Sequence, residues 1–152
     1  MLNPVTTQNA RNHEELNKLL QDINTLPEGA NPDDFDNRKL VKIFDFLKSE
    51  RSVGMDSKDF VEIIKGSEFK KDISKSVAIN IFLESKGSFG IASKDFVEII
   101  KGSEFEDENF KRIVINDFLK SERSFGIASK DFVEIIKGSE LKPYTPTIFI
   151  YK

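Results

Sequence analysis

The seventeen residues from Ser88 to Glu104, SFGIASKDFVEIIKGSE, recur letter for letter from Ser124 to Glu140, and a looser copy runs from Ser52 to Glu68. Phe60, Phe96 and Phe132 hold the same place in each copy, which sets a period of 36 residues. A period of that length marks helical arrays, in which each unit buries its apolar face against its neighbours. The expected fold class is therefore all-α: a short right-handed solenoid of stacked helix-loop-helix units, with an N-terminal capping helix and an extended C-terminal tail. The units are 33–68, 69–104 and 105–140, the capping helix and its linker occupy 1–32, and the tail is 141–152, all within one domain.

Composition narrows the functional classes. With 152 residues, 38% hydrophobic and 32% charged, the chain is long enough to bury a core and too apolar for a disordered segment. Its aromatic content is 14 Phe against two Tyr and no Trp, which suits packing better than stacking on exposed bases. A formal charge of −3 supplies no global attraction for phosphate backbones. The absence of Cys excludes disulfides, thiolate metal sites and a Cys nucleophile. No basic and apolar leader or long apolar run is visible, so neither a secretory signal nor a membrane partner is expected. The expected location is the cytoplasm of the source cell, or a host cell into which the protein is delivered.

Helical spacing of Leu16, Leu19, Leu20 and Ile23 predicts a helix over 8–26, ended by the Pro- and Gly-containing run 26–32. The first helix of each unit is expected over 34–48, 72–84 and 108–120. Its buried stripe is read as Val41, Ile43, Phe46 and Leu47, with Val77, Ile79, Phe82, Leu83 and Ile113, Ile115, Phe118, Leu119 as counterparts. Gly54, Gly90 and Gly126 then permit a positive φ in the reversing loop. Ser57, Ser93 and Ser129 are read as N-caps with Asp59, Asp95 and Asp131 in the first turn. The short second helix carries Phe60, Ile63 and Ile64 on one face and is expected to stop at Gly66, Gly102 and Gly138. Ser103 with Glu106 reads as a capping box for the next unit. The tail has two prolines and then the β-branched and aromatic run Ile148 to Tyr151. It fits three placements: an extended cap over the last helix, which is the expected one, a strand paired to another chain's edge, or a segment presented to a partner.

Catalysis needs a positioned nucleophile, acid, base or metal. His13, the single histidine, has no ligand or nucleophile partner at a telling spacing, and the carboxylates are scattered as solvated helix faces require. A carboxylate-based enzyme is the third reading. Fitting an EF-hand loop to Glu84–Asp95 puts Lys86 at a ligand position and Phe89 where the invariant glycine belongs. No metal, cofactor or catalytic residue is therefore nominated.

The run from Gly126 to Ile136, GIASKDFVEII, resembles the first-helix pattern of TAL-effector-like repeats, in which Gly, an apolar residue, Ser or Thr and an acid precede an Ile- and Val-rich helix. The resemblance covers about a third of each unit. It implies a DNA-wrapping array that reads one base per unit through the turns Gly66-Ser67, Gly102-Ser103 and Gly138-Ser139. Two departures stand against it: Glu68-Phe69 and Glu104-Phe105 replace that family's paired glycines, and the unit Phe105 to Glu140 carries six bases and eight acids. DNA binding is the alternative, disfavoured by charge.

The leading expectation is a non-enzymatic scaffold for protein–protein binding, of the kind found among bacterial effectors; the Asn-, Lys-, Ile-, Phe- and Ser-rich vocabulary suggests an AT-rich genome. The candidate surface is a ridge of repeated charges: Lys58, Glu62 and Lys65, then Lys94, Glu98 and Lys101, then Lys130, Glu134 and Lys137. Within each copy the first Lys and the Glu are four residues apart, a spacing worth ~0.2 to 0.5 kcal/mol to the helix when the ions pair.

Overall fold

A computed structural model describes residues 4–25, 32–88, 91–124 and 128–141. The described residues contain seven α-helices and no strand: α1 (Pro4–Asn24), α2 (Pro32–Lys48), α3 (Ser57–Ser67), α4 (Asp72–Leu83), α5 (Ser93–Ser103), α6 (Glu108–Lys120) and α7 (Ser129–Gly138). Single 3-10 turns at Glu50–Ser52, Lys86–Ser88 and Glu122–Ser124 follow α2, α4 and α6. Neighbouring helices pack in two rows, α1 against α3, α3 against α5 and α5 against α7 in one, α2 against α4 and α4 against α6 in the other. The chain alternates between the rows.

Between the rows lies one apolar core. Phe60 of α3 stacks on Phe82 of α4 with ring centroids 4.3 Å apart, and Phe96 of α5 stacks on Phe118 of α6 at 4.1 Å. All four rings are fully buried, so each stacked pair joins the second helix of one unit to the first helix of the next. Offset ring pairs of this kind add about 0.5–1.5 kcal/mol to the area they bury. Ile43, Phe46 and Leu47 are buried as expected, but Val41, Val77 and Ile113 are 58%, 38% and 47% exposed. The expected stripe is narrower by those three, for a reason that lies in helix geometry. Each lies two residues before a core isoleucine, about 200° around the helix from it.

Polar latches fix adjacent units to one another. Asp36, in the first turns of α2, is fully buried and accepts the backbone N–H groups of Lys70 and Lys71 at 3.0 Å and the Ser74 hydroxyl at 2.8 Å. These donors lie at the start of α4, where four helix amides have no partner within the helix. Asp72 repeats the arrangement for the Glu106 and Asp107 amides at 3.1 and 2.8 Å. Three residues after each acid position stands a lysine that closes the other end of the unit. Lys39 donates to the carbonyls of Ser67 and Glu68, Lys75 to that of Glu104 at 3.0 Å and Lys111 to that of Ser139 at 3.1 Å. A cation there meets the negative end of the dipole of the same unit's second helix. Lys39 is also 2% exposed, with its ammonium 4.2 Å from the Phe35 ring centroid. Burial lowers its pKa, against an opposing pull from Asp36.

Two capping expectations change. The N-cap of α3 is Asp56 rather than Ser57, through reciprocal 3.1 Å bonds in which Asp56 and Asp59 each accept the other's N–H. For α5 and α7 the N-cap positions are Ala92 and Ala128, so Ser93 and Ser129, like Ser57, open their helices from the first helical position. Ser103 belongs to the last turn of α5, where its hydroxyl donates to the Ile99 carbonyl at 2.8 Å. Asp107 caps α6 instead, accepting from the Asn109 N–H at 2.9 Å.

Gly66 and Gly102 do not stop their helices either, since α3 and α5 continue to Ser67 and Ser103. What the three glycines share is a crossing helix. A Cβ on Gly66, Gly102 or Gly138 would fall 2.7 Å from Leu20 Cδ2, 2.9 Å from Val61 Cγ1 or 2.8 Å from Val97 Cγ1. The left-handed turn comes later, at Glu68, Glu104 and Glu140, with φ of 49°, 49° and 56°. Gly54 does take a positive φ, 85°. Gly90, Gly126, the break over 26–31 and the segment 142–152 lie outside the described residues.

Candidate functional site

The second helix of each unit presents Lys, Glu and Lys on the side away from its buried Phe and Ile residues, because positions 58, 62 and 65 follow the helical period. All nine expected residues, Lys58, Glu62, Lys65, Lys94, Glu98, Lys101, Lys130, Glu134 and Lys137, are exposed. Between α3 and α5 five of them, Lys58, Glu62, Lys65, Lys94 and Glu98, line a groove of about 320 Å³ together with Ser57, Val61 and Asp95. Three ammonium groups and three carboxylates thus surround the Val61 side chain at the helix seam. Lys101, Lys130, Glu134 and Lys137 extend the same row onto α5 and α7, outside that groove.

The expected pairing within each copy does not form. Among the described residues none of the nine charges joins an ion pair within 4.0 Å. At the i, i+4 spacing Lys precedes Glu in each copy, the weaker order for such pairs because it opposes the helix dipole. The charges therefore stand in water. Exposed charges in general add little affinity to an interface and act more on encounter rate and specificity.

The turns expected to read bases are placed differently. Gly66 and Gly102 lie inside helices beneath a neighbour's side chain, and Gly138 is the last residue of α7. Ser67, Ser103 and Ser139 are 0%, 3% and 1% exposed, and the hydroxyls of Ser67 and Ser103 are spent on the Ile63 and Ile99 carbonyls. A base edge would meet the following glutamates first. His13 falls among the side chains outside the description. Among the described residues no group of three His, Cys, Asp or Glu is placed to hold a metal ion. No helix there is long and apolar enough to cross a membrane.

Sequence reasoning passed over two features. Glu68, Glu104 and Glu140 are exposed and occupy left-handed backbone, where a side-chain-bearing residue costs roughly 1–2 kcal/mol and glycine would not. Val41, Val77 and Ile113, joined by Phe44 and Ile73, make an apolar strip on the outer surface of α2, α4 and α6. The i, i+2 spacing of Val41 and Ile43 was the available signal, since two such residues share no helix face. In comparisons with known proteins, no family model, no curated protein and no solved structure matched the chain.

Proposed function

We propose that this chain is a short helical-repeat solenoid that acts without catalysis, binding a protein partner through the mixed-charge face of α3, α5 and α7. One observation carries the reading. The second helices are identical over twelve consecutive positions in all three copies, Ser57–Glu68, Ser93–Glu104 and Ser129–Glu140, exposed residues included. The first helices have diverged. Between Asp72–Leu83 and Glu108–Leu119 only five of twelve positions agree, at Lys111, Ile115, Asn116, Phe118 and Leu119 of the later copy.

Three of those five, Ile115, Phe118 and Leu119, belong to the core or pack against it, and Lys111 closes a latch. A recent duplication would have left both helices alike, whereas selection for folding would spare only buried positions. Retention of Lys, Glu and Lys in water, and of Glu at a left-handed position, fits a surface presented in three copies. The open groove beside Val61 offers such a partner an apolar contact flanked by both signs of charge.

The test is capture from a native lysate by wild type, by Lys94→Glu with Lys130→Glu, and by Lys48→Glu with Lys120→Glu on the other row. The first pair should lose a partner that wild type and the second pair retain. Equal capture by all three would remove the face from consideration.

A further inference from the structure

α4 is apolar on two opposite sides. Ala78, Ile79, Phe82 and Leu83 are buried in the core, while Ile73 and Val77 stand 52% and 38% exposed on the outer surface. The partly buried Ile81 continues their line at the i, i+4, i+8 spacing. The two charged residues of α4, Asp72 and Lys75, are engaged away from this line with the backbone of Glu104, Glu106 and Asp107. Only the middle first helix is built this way. Where it carries Ile73 and Ile81, α2 has Asn37 and Asp45, and α6 has Asn109 and Asp117. A helix that is hydrophobic all round belongs to an interior, yet α4 packs between α2 and α6 with Ile73 and Val77 left in solvent.

We propose that this surface joins two copies of the chain in an antiparallel homodimer, with α4 lying along α4 of the other copy about a two-fold axis at Val77. The apolar pattern matches itself under that axis. Ile73 and Ile81 lie four residues to either side of Val77, so Ile73 of each copy meets Ile81 of the other, as an isologous contact requires. Equal 36-residue steps from Val41 to Val77 to Ile113 set all three along the axis, each facing its own counterpart.

Charge selects the antiparallel arrangement. With the two-fold axis along the helices the copies would run parallel, and Glu84 would meet Glu84 while Lys48 met Lys120. With the axis across them, Glu84 at the end of α4 comes to the end where the other copy carries Lys70 and Lys71. Lys48 at the end of α2 then approaches Asp34 of the other copy, and Lys120 at the end of α6 approaches Glu106. A charge-poor centre within a rim of opposite charges is the usual anatomy of a protein interface. A membrane surface would call for a uniformly basic rim, and Asp34, Asp45 and Asp117 break this one.

Size agrees as well. From Lys70 to Glu84 the contact runs about 21 Å at ~1.5 Å per residue, and three helices at about 8–10 Å centres span about 25–30 Å. That footprint, roughly 600 Å² before side-chain relief is counted, approaches the ~800 Å² per partner of a standard interface. The charged face of α3, α5 and α7 lies on the other row, so the dimer leaves it open on both copies.

Light scattering over a dilution series should give twice the 17.3 kDa of one chain at high concentration. Val77→Asp sets two carboxylates against each other at the axis and should raise the dimer dissociation constant about a hundredfold or more, with the helical circular dichroism unchanged because the position is solvent-exposed in one chain. The protein has no Cys, so single cysteines report the geometry. Under mild oxidation, an equimolar mixture of Ile73→Cys and Ile81→Cys should form the mixed disulfide in several-fold excess over either self-linked product, and Val77→Cys should link to itself. Wild type that stays monomeric at its highest soluble concentration would overturn the proposal and assign the strip to a different protein, or to a membrane if the monomer binds anionic vesicles. A dimer that Val77→Asp leaves intact would overturn it too, as would Ile73→Cys linking mainly to itself, the mark of parallel copies.

Discussion

Replacing Asp36 by alanine tests whether the latches hold neighbouring units together. The carboxylate is fully buried and accepts from Lys70 N–H, Lys71 N–H and Ser74 Oγ–H. Its loss strands the Ser74 hydroxyl, a buried donor, at about 1–3 kcal/mol. The two amides belong to exposed residues, so water replaces the carboxylate there, and each loses only the net value of its bond, about 0.5–1.5 kcal/mol. Taken together the expected destabilisation is about 3–4 kcal/mol. Asp72 makes the same amide contacts and meets Lys75 Nζ at 3.4 Å but has no buried hydroxyl partner, so Asp72→Ala should cost less, about 1–3 kcal/mol by the same accounting. Urea unfolding followed by circular dichroism at neutral pH measures both, and Asp36→Asn, which keeps one acceptor oxygen, should fall between wild type and Asp36→Ala. If Asp36→Ala costs no more than Asp72→Ala, the burial of the latch does not contribute in the way argued here.

Two further perturbations probe the core and the buried Lys39 ammonium. Gly102→Ala places a methyl against Val61 Cγ1, on a β-branched side chain with little freedom to yield, whereas at Gly66 the obstacle is the far end of Leu20. Overpacking of ~1–3 kcal/mol then exceeds the ~1 kcal/mol gain in helix propensity at Gly102. Gly66→Ala should be near neutral, and equal unfolding midpoints for the two variants would refute the distinction. Burial lowers the Lys39 pKa below its ordinary 10.5, so between the two values the unfolded chain holds a proton that the native state has released. Native stability must therefore rise with pH across that window. The difference in unfolding free energy between wild type and Lys39→Met should grow in favour of wild type as pH climbs toward 10.5, and a flat difference would contradict the burial.

Much of the local structure was legible because it depends on nearby residues. The bounds of α6 agree with the spacing argument, and those of α4 differ by a single residue. Phe60, Ile63 and Ile64 are buried as their period requires. The glycine assignments failed because their sequence neighbourhood suits a cap while their role is set by what crosses them, and the serine assignments failed to a local competitor. Gly102 admits Val61 from a helix 41 residues earlier, and Asp56 displaces Ser57 as cap because a carboxylate one residue upstream reaches the Asp59 amide first. The candidate face was legible as a set of repeated charges, while their lack of mutual pairing was not, because pairing depends on side-chain geometry beyond i, i+4 spacing.

By itself the sequence determined that the chain is helical, that twelve residues of each second helix recur unchanged, and which face of that helix is polar. Periodicity is a local property, and 3.6 residues per turn converts it directly into a face. Only the tertiary structure decided that glycines mark helix crossings, that Asp36 ties its unit to the next, and that Lys39 closes the far end of its own. Those outcomes depend on contacts between residues tens of positions apart. Phe132 shows both levels at once: its sequence surroundings match those of Phe60 and Phe96, yet it is 43% exposed, and among the described residues no ring stacks on it.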